Sequence, residues 1–158
     1  MNSEKKSLLG EWIAGVSGIV FIIIMFTRWF SYTLGVTITT SAGDTVIPGG
    51  MMTAWESFPL IAYIFLLAAV VAVGFAFLSL LRSKKLPVFL SIIVTVLGGI
   101  VFILILKNII VLPDLKPSRG GVTFLSAQAV REIGVFLGLI ASLGIAAGGL
   151  LSIRRPKK

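Results

Sequence analysis

The chain has 158 residues, of which 57% are hydrophobic, and its 14 Lys and Arg against 6 Asp and Glu give a formal net charge of +8. With a mean hydropathy of +1.08, this composition excludes an ordinary soluble globular domain. Cys and His are both absent, which excludes disulfides, thiol catalysis, imidazole-held haem or zinc, and a His general base.

Four apolar stretches are each long enough to cross a hydrocarbon core of about 30 Å, which takes about 20 helical residues. They cover about residues 10–30, 57–81, 87–112 and 126–153. A backbone in lipid must satisfy its hydrogen bonds internally, so each stretch is predicted to be a helix. We therefore predict an all-α membrane protein, with residues 1–158 forming one four-helix transmembrane bundle.

The first stretch follows Lys5 and Lys6, and a basic start before an apolar run is also the pattern of a secretory signal peptide. This run is longer than a signal peptide needs, and no small-x-small cleavage site follows it. We predict an uncleaved membrane helix.

The first outer loop, about residues 31–56, contains a strict alternation of apolar and polar residues from position 30 to position 39. This period of two is typical of a strand with one apolar face. Residues 41–44 have turn chemistry, residues 45–47 can return as a second strand, and residues 48–50 are predicted to end it. The prediction is a small extracytoplasmic β-hairpin, either a lid over the helix ends or a docking surface with an unpaired edge.

The fourth stretch has Ser126 as its candidate helix N-cap. Small residues recur along this stretch at four-residue spacing, which lets helices approach closely in lipid. One row is Gly134, Gly138, Ser142 and Ala146, and a second row is Gly144, Gly148 and Ser152. These rows predict a helix-packing interface, either within the chain or, for the second row, with another protein or another copy.

Most of the basic residues lie at the amino end, in the loop of residues 82–86, and in the tail of residues 154–158. By the positive-inside rule, this distribution predicts a multi-pass plasma-membrane protein with both termini in the cytoplasm. The basic tail is either a topology anchor or a contact for anionic lipid.

Aromatic residues cluster near the predicted membrane boundaries. Trp12 lies near the inner one, and the residues near the outer one are Trp29, Phe30, Trp55 and Phe58. This distribution is typical of the aromatic belts at membrane interfaces, with an aromatic ligand box as the alternative.

Charged residues at membrane depth are candidates for function. Arg28, Glu56, Lys107 and Glu132 are all predicted at the outer level. They either form interfacial ion pairs, for which Arg28–Glu56 and Lys107–Glu132 are the pairings considered, or line an outward-facing pocket for a small anion or lipid headgroup. Glu11 is predicted at the inner boundary, too shallow for a proton-coupling carboxylate in the middle of the membrane.

No phosphate-binding glycine loop, activated nucleophile or pair of carboxylates at metal-ligand spacing occurs in the spans. The sequence therefore predicts no catalytic residues, no metal and no cofactor. Since the basic residues follow the membrane topology, no nucleic-acid partner is predicted either.

Short motifs at the span ends resemble those of uncharacterised four-helix membrane proteins common in actinobacteria. They are Trp29-Phe30, the segment of residues 54–58, Leu86-Pro87-Val88, and Arg154-Arg155 after a Gly/Ala-rich span. The resemblance implies a four-helix fold and no particular activity. Members of the group can carry an acidic residue where this chain has Ala62, so no role is transferred to that position.

These observations predict a non-enzymatic integral membrane protein, an accessory, scaffolding or assembly subunit. Its partners would be the lipid bilayer and either another membrane protein or further copies of itself. The alternative is a transporter or channel-like component for a small solute or lipid, in which Arg28 or Lys107 would affect flux.

Overall fold

The computed structural model of the protein describes residues 3–33, 37–40, 43–46, 50–81, 87–111, 118–119, 122–123 and 128–153. The basic loop of residues 82–86 and the tail of residues 154–158 lie outside the described residues, and only the backbone of Lys5 and Lys6 is described. The predicted orientation, which depends on these residues, therefore stays a prediction.

The described part of the chain is mostly helical. Its helices are α1 (Ser3–Met25), α2 (Ala54–Ser57), α3 (Pro59–Leu81), α4 (Val88–Ile110) and α5 (Ile133–Ile153). Its strands are β1 (Phe30–Thr33), β2 (Thr37–Thr40), β3 (Gly43–Val46), β4 (Gly50–Met52), β5 (Ser118–Arg119), β6 (Val122–Thr123) and β7 (Gln128–Arg131).

Three of the described helices, α3, α4 and α5, are long and apolar enough to cross a membrane. The apolar part of α1 runs from Leu9 to Met25 and is shorter. The prediction of long apolar helices is thus confirmed for three of the four stretches.

Helix α1 ends at Met25, five residues before the predicted end of the first span. The carbonyl of Ile24 accepts hydrogen bonds from the Thr27 nitrogen at 2.9 Å, from Thr27 Oγ1 at 2.7 Å and from Trp29 Nε1 at 2.8 Å. Donors from the following residues therefore satisfy the last turn, as at other helix ends. The chain turns here, and the Trp29 ring enters the interior instead of extending the helix.

Helices α1, α3, α4 and α5 pack side by side, and α5 contacts both α1 and α4. Helix α3 completes the arrangement by contacting α1 and α4. Helix α5 therefore has two neighbours along its length, which explains why it carries two rows of small residues.

Both rows are used within the chain. A Cβ added at Gly148 would lie 2.5 Å from the Ala14 nitrogen of α1, and one added at Gly144 would collide with Ser17 of the same helix. In the other row, Gly138 faces the Trp29 ring and Ala146 faces Gly98 of α4. The alternative in which the second row faces another protein is therefore wrong, because α1 already occupies that face.

Strand β1 is the centre of a three-stranded antiparallel sheet in the order β4–β1–β7. Phe30 is opposite Met52 on one side and Arg131 on the other, so β1 joins the two segments that were predicted to be outer loops. Two predictions are corrected here. Residue 50 begins a strand instead of ending one, and Ser126 does not cap a helix, because α5 begins at Ile133 after strand β7.

A hairpin within residues 31–56 is present as β2 and β3, which pair from Thr37 opposite Val46 to Thr40 opposite Gly43. Its bounds differ from the prediction, because Gly43 and Asp44 belong to the return strand and not to the turn. The predicted continuous strand over positions 30 to 39 is described as two strands, with residues 34–36 outside the description. A second small antiparallel pair, β5 and β6, lies in the second outer loop.

Replacing Gly148 by Ala is expected to lower the stability of the detergent-solubilised protein by about 1–3 kcal/mol, because the added methyl must displace the α1 backbone. Gly99→Ala is the matched control, since a Cβ at Gly99 meets nothing within 4 Å. Thermal unfolding followed by circular dichroism measures both. An equal unfolding temperature for the two variants would contradict the close packing of α1 on α5.

Candidate functional site

A buried polar chain lies at the end of the helices away from the β4–β1–β7 sheet. Ser91 Oγ of α4 donates to Ser152 Oγ of α5 at 3.1 Å, and Ser152 Oγ donates to Glu11 Oε1 of α1 at 3.2 Å. Glu11 is only 1% exposed, and both serines are buried. We call Glu11, Ser91 and Ser152 the polar chain. It joins three helices that are far apart in the sequence.

Small residues create the space in which the polar chain forms. A Cβ added at Gly10 would lie 2.7 Å from both the Gly148 oxygen and the Ser152 nitrogen. On the other side of α5, a Cβ at Gly149 would lie 2.5 Å from Thr95 Oγ1, which itself donates to the Ser91 carbonyl at 2.8 Å. The backbones therefore approach closely enough for short hydroxyl side chains to reach across two helix interfaces.

The burial of the polar chain limits its chemistry. A carboxylate beside a serine hydroxyl is part of many nucleophilic sites, but a nucleophile must also reach its substrate. Ser91, Ser152 and Glu11 are all enclosed by α1, α4 and α5. Buried polar groups that are mutually hydrogen-bonded specify how helices pack, and this is the role that the geometry supports here.

Sequence reasoning identified Glu11 by its charge but not its contacts, and it did not identify the partnership of Ser91 with Ser152. Serine is common in membrane helices, and the two residues are 61 positions apart. The one available signal was that Ser152 belongs to the second small-residue row of α5.

The four residues predicted to form an outer polar cluster all lie toward the sheet end, but they do not pair with one another. Arg28, Glu56 and Lys107 are exposed and Glu132 is half-buried. Among the described residues, no ion pair joins any two of them. The proposed pairings Arg28–Glu56 and Lys107–Glu132 are therefore not formed.

Two of these four charged residues have a place in their own helices instead. Glu56 Oε2 accepts hydrogen bonds from the Thr53 nitrogen at 2.8 Å and from Thr53 Oγ1 at 3.0 Å, which forms the capping box of α2. Lys107 lies in the last turn of α4, where a cation is favourable. Arg131, for which no such contact was predicted, links a strand to a helix. Its Nε donates to the Ile109 carbonyl at 2.7 Å and ties β7 to the end of α4.

The aromatic residues predicted for the membrane boundaries occupy different surroundings. Trp29, Phe30 and Phe58 are buried, whereas Trp12 is 49% exposed and Trp55 is half-buried. Rings in an aromatic belt face lipid and headgroups. The belt interpretation is therefore corrected for Trp29, Phe30 and Phe58, which belong to the interior.

The Trp29 ring fills the interior at the sheet end. It stacks on Phe65 with ring centroids 5.8 Å apart, and meets Phe21 and Phe58 edge-on at 6.4 and 6.5 Å. Gly138 leaves room for it, since a Cβ there would lie 2.9 Å from the ring. The small residue on α5 and the large one after α1 are thus complementary, and Phe21 and Phe65 are the members of this cluster that sequence reasoning missed.

Within the described residues, no group of three or more His, Cys, Asp or Glu side chains is placed to hold a metal ion.

No protein-family model, curated protein or solved structure matches the chain. The resemblance to the actinobacterial four-helix group consequently stays a prediction.

Replacing Ser152 by Ala removes both the donor to Glu11 and the acceptor for Ser91. The expected loss of stability is about 1–3 kcal/mol, as for the loss of other buried side-chain hydrogen bonds. Ser142→Ala is the matched control on the same helix, because the partner of buried Ser142 among the described residues is the Leu139 carbonyl of its own helix, at 2.8 Å. If chemical denaturation in detergent finds the two variants equally stable, the polar chain does not hold the helices together.

Proposed function

We propose that the chain is an integral plasma-membrane protein in which α1 joins α3, α4 and α5 as a fourth span. Packing of α1 against both α3 and α5 supports this arrangement, because α1 lies beside helices that are long enough to span. Its apolar part, Leu9–Met25, is about 25 Å long at 1.5 Å per residue, and a shortfall of this size costs little in a bilayer.

The side chains that face away from the interior support lipid as the surroundings of these helices. Large apolar residues are exposed along all four, among them Ile23 on α1, Leu67 on α3, Ile103 on α4 and Ile140 on α5. Apolar exposure along every helix is unfavourable in water and suits a hydrocarbon solvent.

The biochemical role that the geometry supports best is that of a non-enzymatic accessory, scaffolding or assembly subunit. This proposal is based on one observation: side chains fill the interior of the helices, and a small sheet lies over one end of them. Trp29 fills the sheet end, the α1 and α5 backbones touch at Gly148, and β1 joins the two outer loops into one sheet. Closely packed helices of this kind can hold the surface of the sheet in one position for a partner to bind.

The outward face of the sheet is the proposed contact surface. Phe30, Tyr32 and Met52 pack on the core, whereas Met51 and Val130 lie opposite each other across Ser31 and are each more than half exposed. We propose that these two adjoining apolar side chains are the centre of a protein contact. The proposed partner is another membrane protein or a further copy of this chain.

Transport of a small solute or lipid has less support. A transporter needs a polar path near the middle of the membrane. In the described helices the polar chain lies at one end, and the large Trp29, Phe21 and Phe65 rings fill the other.

The proposed orientation predicts that both ends of the chain stay in the cytoplasm. A reporter enzyme that is active only after export is expected to be inactive when fused at the carboxyl end. The same reporter inserted in the first outer loop, between residues 41 and 42, is expected to be active. The opposite pattern of activities would contradict the orientation.

The accessory role predicts a specific neighbour at the sheet surface. A photo-crosslinking amino acid at Met51 or Val130 is expected to give one discrete protein adduct in intact cells. The control is Ile103 on the lipid face of α4, where no discrete adduct is expected. The chain has a mass of 16.9 kDa, and an adduct with about twice that mass would identify a second copy as the partner. Absence of adducts from both sheet positions, at normal protein levels, would contradict the role.

A further inference from the structure

We infer that Phe26, Trp55 and Tyr63 form a binding surface for the glycerol-ester region of outer-leaflet phospholipids. This inference rests on the proposed membrane location and adds the residues by which the protein is held at one depth. We call these three residues the Trp55 patch.

The three rings of the Trp55 patch come from three parts of the chain. Phe26 follows α1, Trp55 lies in α2 and Tyr63 lies in the second turn of α3. Trp55 contacts Phe26 with ring centroids 6.0 Å apart and Tyr63 with centroids 5.8 Å apart. Phe26 and Tyr63 are each 65% exposed, so the patch is a continuous aromatic surface on the outside of the helices.

The position of the patch along the helices fits a membrane boundary. From Tyr63 to the end of α3 at Leu81 is about 27 Å at 1.5 Å per residue, close to the thickness of a hydrocarbon core. From Leu9 to Phe26 along α1 is about 26 Å by the same measure. Both helices therefore place the patch where acyl chains end and ester groups begin.

The chemistry of the patch suits that layer. Phe26 supplies an apolar surface for the upper acyl chain, while Trp55 and Tyr63 combine an apolar ring with a polar tip. Trp55 Nε1 has no hydrogen-bond partner within the described chain. The Nε1 atom is buried, and the ring lies between Phe26 and Tyr63. In the inferred contact, the exposed Phe26 and Tyr63 side chains shift so that an ester carbonyl reaches the indole N–H. Arg28, two residues after Phe26, is exposed at the same end for a lipid phosphate.

Trp29 provides an internal contrast. Its Nε1 is bonded to the Ile24 carbonyl at 2.8 Å, and its ring is fully enclosed. Two tryptophans near the same boundary therefore differ in access to lipid, which a fluorescence measurement can separate.

The test compares quenching of tryptophan fluorescence by brominated phosphatidylcholines in reconstituted vesicles. One lipid carries bromine near the ester groups, and the other carries it near the ends of the acyl chains. The Trp12→Phe variant retains Trp29 and Trp55, and the variant that combines Trp12→Phe with Trp55→Phe retains Trp29 alone. The difference between the two variants is the emission of Trp55.

We expect the shallow bromine to quench the Trp55 emission at least about twofold more strongly than the deep one, as for an interfacial ring. Trp29 alone should be quenched weakly by both lipids. Introducing Tyr63→Trp into the Trp29-only variant provides a second reporter, which should show the same preference for the shallow bromine even if Trp55→Phe alters local packing.

Two results would overturn the inference and can be told apart by vesicle flotation. If the protein floats with the vesicles but neither reporter prefers the shallow bromine, the Trp55 patch is not the interfacial contact and the membrane location stands. If the protein does not float with the vesicles, the proposed membrane location fails and the lipid surface fails with it.

Discussion

Backbone-to-backbone contact along α5 is the constraint on which the rest of this structure depends. In the proposed lipid surroundings there is no hydrophobic driving force between helices, so dispersion contacts at very short range hold them together. Gly148 provides that contact with α1, and Gly98 of α4 provides it at Ala146 of α5. Because α5 makes close contact on two sides, it holds α1 on one side and α4 on the other.

The polar chain depends on this contact. Serine hydroxyls are short, and the Ser91–Ser152–Glu11 series spans three helices only because Gly10 and Gly149 let the backbones approach. Hydrogen bonds depend on direction, whereas dispersion contacts do not. Once formed, these hydrogen bonds therefore restrict how the helices can shift along one another. Small residues and polar residues at this end therefore act together to set one register of the helices.

At the sheet end the same helices separate around Trp29. The side chain of Trp29 fills the space, while its backbone links both outer loops. The Trp29 nitrogen donates to the Met52 carbonyl at 2.9 Å, and its own carbonyl accepts from the Glu132 nitrogen at 2.9 Å. One residue thus closes the interior and positions the sheet above it. The interior is therefore filled at this end and hydrogen-bonded across three helices at the other.

Much of the architecture follows from local sequence. Apolar runs of about 20 residues define the two middle helices closely, since α3 and α4 lie within two residues of their predicted ends. The β2–β3 hairpin follows from local alternation and turn chemistry in the same way. The start of α5 was predicted seven residues too early, because residues 128–131 pair with β1, a partner almost 100 residues away in the chain. Local pattern carries no information about such a partner.

The sequence by itself determined that this chain forms long apolar helices, with small residues where they can pack closely. Only the tertiary structure decided what those residues meet. Trp29 turns inward, both rows of α5 are occupied within the chain, and Glu11 is bonded across the helices, while Arg28 and Glu56 do not pair with each other. The physical reason is the distance along the sequence over which each kind of interaction acts. Helix formation depends on hydrogen bonds four residues apart and on the solvent, whereas the environment of each side chain depends on segments that only folding brings together.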